Sequence, residues 1–185
     1  VQIATVVVMR RLGTLFLTSA LAAGCAPGGH ANTVPLLSAA GIPVTMTPSA
    51  DVPLEVVTRS TAVRDPLPVE GTDVSYADLE GALGHAVSSA TVPWADGHRA
   101  ERPGGWQLFV EIIQADSSYE SGRLIVTLNT RSTLRTRSGN VYLGQTQARC
   151  REAGLTTPDK GAPVVYSCMT HLGRDLAGWL GGIQP

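Results

Sequence analysis

The 185-residue chain is poor in lysine, in aromatic side chains and in cysteine, and it holds no long apolar run. Lys160 is its one lysine, against thirteen arginines, and no arginine cluster stands out along the sequence. Aromatics make up 5% of the residues, and there are three cysteines. The apolar run from Leu12 to Ala23 is too short to span a bilayer, which takes ~20 residues, and its backward extension through Val6 meets Arg10 and Arg11. The specific catalytic signatures are missing. There is no Gly-x-Ser-x-Gly elbow, no His-Glu-x-x-His or equivalent zinc spacing among His30, His85, His98 and His171, and no phosphate-cradling glycine loop. Catalysis needs convergent groups, so the chain reads as a non-enzyme that needs no cofactor. Neither Cys150 nor Cys168 has a second Cys or His at ligand spacing on this reading, and no metal site is expected.

What is present begins at Met9. Met9-Arg10-Arg11 leads, an apolar stretch follows, and small residues close on Cys25, which is the layout of a secretory signal. Its end resembles a bacterial lipobox, with Leu21 one place before the position where such motifs more often carry leucine; the plainer alternative is an ordinary membrane helix, or a secreted protein whose cysteine is incidental. The resemblance implies a true start at Met9, a signal peptide over 1–24, and lipidation of Cys25 by diacylglycerol and palmitate. The mature protein would then be anchored in the cell envelope with its domain in the periplasm, and Ala26 after the cysteine favours the outer membrane over the inner.

Removing 1–24 leaves 161 residues, enough for one domain with its own core. It removes Arg10 and Arg11 and no acid, so 12 basic side chains face 15 acidic ones and the net charge falls to −3, against a nucleic-acid partner. With Cys25 taken by lipid, Cys150 and Cys168 form an even remainder, which in an oxidising compartment usually pairs. A disulfide closing that loop would stabilise the fold by ~3 kcal/mol on the chain-entropy model. Two buried free thiols are the alternative.

Residues 25–53 read as a flexible tether, rich in Pro and Gly with almost no charge, that lifts the domain off the membrane. The folded part spans 54–185. Leu54 to Arg59 predicts a short strand. Ser75 and Asp78 form a capping box, followed by a helix with Leu79, Ala82, Leu83, Ala86, Val87 and Ala90 on one stripe, ending before Pro93. Val92 to Gly105 reads as a loop in which Trp94, His98, Arg99 and Arg102 gather; they can line a site, but no spacing here matches a known ligand set, and Trp94 plugging the end of the helix is the favoured reading.

Trp106 to Ala115 alternates, with Trp106, Leu108, Val110 and Ile112 on one face and Phe109 and Ile113 on the other. A turn from Asp116 to Gly122 leads to a second strand with Leu124, Val126, Leu128 and Leu134 inward. Its wet face carries Thr127, Asn129, Arg131, Thr133, Arg135 and Arg137. Arg131, Arg135 and Arg137 can attract an anionic lipid head or an acidic partner; the plainer alternative is a solvated face that discourages edge pairing. Ser138-Gly139-Asn140 predicts a hairpin turn, and Val141 to Cys150 a third strand. After a loop over Glu152 to Gly161, Pro163 opens a helix with Val165, Cys168, Met169, Leu172, Leu176, Trp179 and Leu180 inward. The fold class is α+β, an antiparallel meander sheet with two helices packed on one face.

That order of elements, together with Gly105-Trp106-Gln107-Leu108-Phe109-Val110-Glu111-Ile112, the Gly122 to Val126 strand and the closing Leu172 to Leu180 helix, resembles the ABC-type transport auxiliary lipoproteins. These are periplasmic partners of MCE-type lipid transport systems. The cysteine pair departs from that pattern. The resemblance implies a non-catalytic accessory of a transport complex, with envelope proteins and phospholipid as partners, and it carries no catalytic residues. The alternatives are a scaffold resembling the activator lipoproteins of cell-wall synthases, and an outer-membrane binding module.

Overall fold

The computed structural model describes residues 53–61, 66–69, 72–98, 104–139, 141–155 and 161–183. The signal segment, Cys25 and the tether up to residue 52 lie outside the described residues, as do Arg99 and Arg102. In chain order the elements are β1 (Leu54–Ser60), β2 (Leu67–Val69), β3 (Thr72–Val74), α1 (Tyr76–Gly97), β4 (Trp106–Glu120), β5 (Arg123–Thr136), β6 (Tyr142–Leu155) and α2 (Gly161–Gly181).

Four strands form one sheet in the order β1-β4-β5-β6, and β2 pairs with β3 in a small hairpin. The expected meander is there: β4, β5 and β6 pair antiparallel in sequence. The sheet is not a pure meander, however, because β1 adds to β4 in parallel, from Leu54 beside Trp106 to Ser60 beside Ile112. A parallel neighbour requires a crossover rather than a tight turn, and α1 lies in that connection.

Alternation sets which face of the sheet is dry. Leu108, Val110, Ile112, Leu124, Val126, Leu128 and Leu134 are fully buried. Between Leu128 and Leu134 the same face continues with buried Thr130 and Ser132. A bulge between Ile112 and Gln114 inserts one residue, so the inward positions of β4 shift from even to odd numbers and Ala115 faces Leu128. A bulge of this kind leaves one residue unpaired and reverses the phase of the pleat. The sequence predicts a turn over Asp116 to Gly122, but the strand continues to Glu120. The turn itself is only Ser121-Gly122, both at positive φ (52° and 75°), the two-residue hairpin geometry that matches strand twist. β6 likewise runs on to Leu155 through the start of the predicted loop.

Both helices pack on the dry face. Ser75 caps α1: its Oγ accepts from Asp78 N at 3.2 Å and donates to Asp78 Oδ2 at 2.7 Å. The helix lies over β1, where Thr58 Oγ1 donates to the Glu80 carbonyl at 2.8 Å and Ser60 N to Glu80 Oε1 at 2.6 Å. It does not stop before Pro93 but runs through it to Gly97. An interior proline costs ~3 kcal/mol; burying an indole, on the order of 200 Å² at ~25 cal/mol per Å², offsets that. Trp94 supplies it: the ring is 7% exposed, stacked on His98 at 4.4 Å and edge-on to Trp106 at 6.3 Å. The tryptophan is therefore a core anchor that plugs the end of the helix, as expected, although the helix itself runs on past Pro93.

In α2, Pro163 sits in the first turn, where its missing N–H leaves no intrahelical bond unmade. The helix buries Val165, Cys168, Met169, Leu172, Leu176 and Leu180. It meets α1 where Gly173 lies so close that a Cβ there would stand 2.8 Å from the Ala86 carbonyl oxygen.

Candidate functional site

The two faces of the sheet differ in cover. Among the described residues no helix lies on the outer face, and the strand register arranges its side chains in transverse rows. One row runs Glu55, Gln107, Arg135, Tyr142; the next Val57, Phe109, Thr133, Gln145; the next Arg59, Glu111, Arg131, Gln147. The middle row gives an apolar floor, Val57 beside Phe109, and the rows on either side place Arg59 and Arg135 at its flanks. These residues with Gln107 and Thr133 line a shallow trough of about 460 Å³.

Arg59 holds its guanidinium 6.0 Å from the centre of the Phe109 ring, a cation–π contact. Arg135 donates to Gln107 Oε1 from Nε at 2.9 Å and from Nη2 at 2.6 Å, while Gln107 Nε2 donates to Glu55 Oε2 at 3.1 Å. A neutral amide orients Arg135 without cancelling its charge.

Of the three arginines singled out in the sequence, Arg131 pairs with Glu111 at 3.6 Å and Arg137 with Glu55 at 3.6 Å. Only Arg135 reaches the trough. The fold adds four more arginines to this face: Arg59 from β1, Arg123 from β5, and Arg149 and Arg151 from β6. Arg151 meets Glu120 at 3.8 Å. Arginines that form no cluster along the sequence are thus gathered by the fold. Seven of them share one face with four acids, Glu55, Glu111, Asp116 and Glu120, because pairing brings together residues nearly 100 positions apart. Arg59 and Phe109 were not legible as a pair: the parallel register of β1 leaves no mark in the sequence.

A second grouping lies on the opposite face, between β6 and α2. Cys150 and Cys168 are joined by a disulfide with Cα atoms 5.5 Å apart. Beside it His171 Nδ1 and Glu152 Oε2 are 2.9 Å apart. The ligand atoms of Cys150, Glu152 and His171 all lie within 4.8 Å of one another. The expectation that no cysteine has a ligand-spaced partner is corrected here. His171 follows Cys168 by three residues on one helix, and Glu152 follows Cys150 by two on one strand, so both pairs share a face.

No protein-family model and no curated protein matches the chain. Among solved structures it is similar in strand and helix arrangement to a DUF330 protein of Xanthomonas campestris, at 16% identity, TM-score 0.46, over 72% of this chain and 89% of that one. A minor lipoprotein of Acinetobacter baumannii is similar at 12% identity, TM-score 0.45, over 75% of this chain and 100% of that one. A lipoprotein of Neisseria meningitidis is similar at 14% identity, TM-score 0.35, over 68% and 97%. At these identities and scores the likeness assigns no family.

Proposed function

We propose that this protein is a non-catalytic lipoprotein of the bacterial envelope, an accessory of a lipid or ABC-type transport complex, held to the membrane through Cys25. On this reading the uncovered sheet face docks an acidic surface of a partner protein. The observation that carries the docking reading is the charge of that face. It has seven arginines against four acids, on a domain that is net negative once residues 1–24 are removed. Among the described residues Arg59, Arg123, Arg135 and Arg149 pair with no carboxylate. Guanidinium groups presented on rigid strands suit carboxylate recognition, since the planar fork binds both oxygens and its position is already set. The anchor reading rests on the Met9 to Cys25 layout.

Two experiments test it. Labelled palmitate should enter the wild-type chain and not Cys25→Ser, and the variant should leave the membrane fraction. Crosslinking in intact cells from a photoreactive residue at Phe109 should trap a transport permease or its periplasmic partner, with Arg59→Glu plus Arg135→Glu abolishing the adduct. Trapping of a cell-wall synthase instead, or equal retention of the double variant on anionic phospholipid vesicles and on the partner, would overturn the assignment.

A further inference from the structure

Cys150, Glu152 and His171 converge from two elements, and Cys168 is tied to them through its bond to Cys150. Cys150 and Glu152 alternate on β6 toward α2, and Cys168 and His171 lie one turn apart on α2. The sulfurs are buried, while the side chains of Glu152 and His171 are 28% and 44% exposed. The grouping has a closed floor and an open mouth. A covalent bond between the two sulfurs makes use of only half of it. The other half, the His171 imidazole nitrogen and the Glu152 carboxylate oxygen, 2.9 Å apart, lies beside the disulfide and takes no part in it.

We propose that the bonded cysteines are one of two closed forms of a single four-donor site, and that the reduced form binds one zinc-type divalent cation through Cys150, Cys168, His171 and Glu152. Two sulfurs, one nitrogen and one oxygen are a donor set suited to tetrahedral Zn²⁺. Zn–S bonds of ~2.3 Å place two ligating sulfurs on the order of 3.8 Å apart, a separation that backbones at 5.5 Å between Cα atoms accommodate by side-chain rotation. The ligand atoms of Cys150, Glu152 and His171 already lie within 4.8 Å of one another; the Cys168 sulfur, held to Cys150 in the disulfide, is the donor that must rotate toward the other three on reduction.

The interconversion balances. An external dithiol delivers two electrons and two protons to the Cys150–Cys168 bond and is itself left as a disulfide. The cation then displaces the two thiol protons to solvent and binds both thiolates. Oxidation of the thiolates by an external disulfide, which takes their two electrons and two protons from solvent to become a dithiol, restores the bond and releases the cation. The domain is thereby fastened between β6 and α2 in either redox condition, and the switch converts thiol poise into metal release. This inference does not rest on the docking reading.

The test uses the full chain carrying Cys25→Ser, which leaves only the two cysteines in question. Oxidised and phosphine-reduced samples are titrated with Zn²⁺ alone, anaerobically, against a chromogenic chelator, and the reduced sample also with Co²⁺. The expected result is one equivalent of Zn²⁺ bound by the reduced chain and none by the oxidised chain. The Co²⁺ form should show tetrahedral visible bands with thiolate charge transfer. His171→Ala and Glu152→Gln should each weaken binding by more than the ~10–100-fold that an outer-shell partner typically contributes, and Cys150→Ser should abolish it. Equal binding by the oxidised chain, or affinity unchanged in both His171→Ala and Glu152→Gln, would overturn the proposal. Should reduction unfold the chain, recovery of its helical circular dichroism on adding Zn²⁺ supports the site, and failure to recover it refutes it.

Discussion

The inner and outer faces of the sheet are built from the same strands, residue by alternate residue, yet different physics governs them. On the inner face Leu108, Val110, Ile112, Leu124, Val126 and Leu128 meet two helices and are wholly removed from water. On the outer face the neighbouring positions carry arginine, glutamine and threonine, with ion pairs at 3.6 Å to 3.8 Å between half-exposed groups. The inner face holds the fold together through buried apolar area; pairs like those outside contribute ~1 kcal/mol or less each. An outer face that does so little for stability is free to be shaped by what it touches.

The largest expected effect tests the inner face. Leu172→Ala or Leu128→Ala should lower unfolding free energy by ~2–5 kcal/mol, seen as a lower urea midpoint with unchanged slope. Phe109→Ala on the outer face should cost far less, and a comparable loss there would erase the distinction between the faces. Next, Cys150→Ser should cost ~3 kcal/mol under oxidising conditions, measured by the same urea titration with and without reductant; only the wild type should respond to reductant. Gly173→Ala probes the helix crossing. Its Cβ would press on the Ala86 carbonyl oxygen, with an expected loss of ~1–3 kcal/mol. Ser75→Ala removes the α1 cap and should cost ~1 kcal/mol. The smallest effect sharpens the comparison from the other side: Arg135→Ala should shift stability by less than ~0.5 kcal/mol while weakening crosslinking at Phe109.

Much of this architecture is legible in the sequence, because alternation and helical stripes report burial directly. The inward residues of β4, β5 and both helices follow from period alone. Where the phase breaks, legibility ends. The bulge after Ile112 moves the inward set to Ala115, so the polar run from Asp116 to Glu120 looks like a turn although it is strand. Pro93 looks like a helix stop because local propensity says so; the burial of Trp94 one residue later overrides it. The candidate trough was half visible. Arg135 stood out on a wet strand face, but its partners Arg59 and Phe109 come from different strands, and nothing local encodes which strands become neighbours. The His171–Glu152 contact was hidden for the same reason, although the Cys168-x-x-His171 spacing was there to be read.

At 15 residues, β4 is about 50 Å long at ~3.4 Å per residue, whereas the 22 residues of α1 extend about 33 Å at ~1.5 Å each. β4 therefore extends beyond α1, and its far end is covered instead by the first turn of α2, where Gly161 lies against Leu124 and Val69, and by the β2–β3 hairpin, where Ser117 Oγ donates to the Pro68 carbonyl. Beyond it Tyr119 is exposed and Leu155 is 76% exposed. Thermal opening of the molecule should begin at this tip and travel inward, leaving amide exchange slowest where both helices bear on the strands.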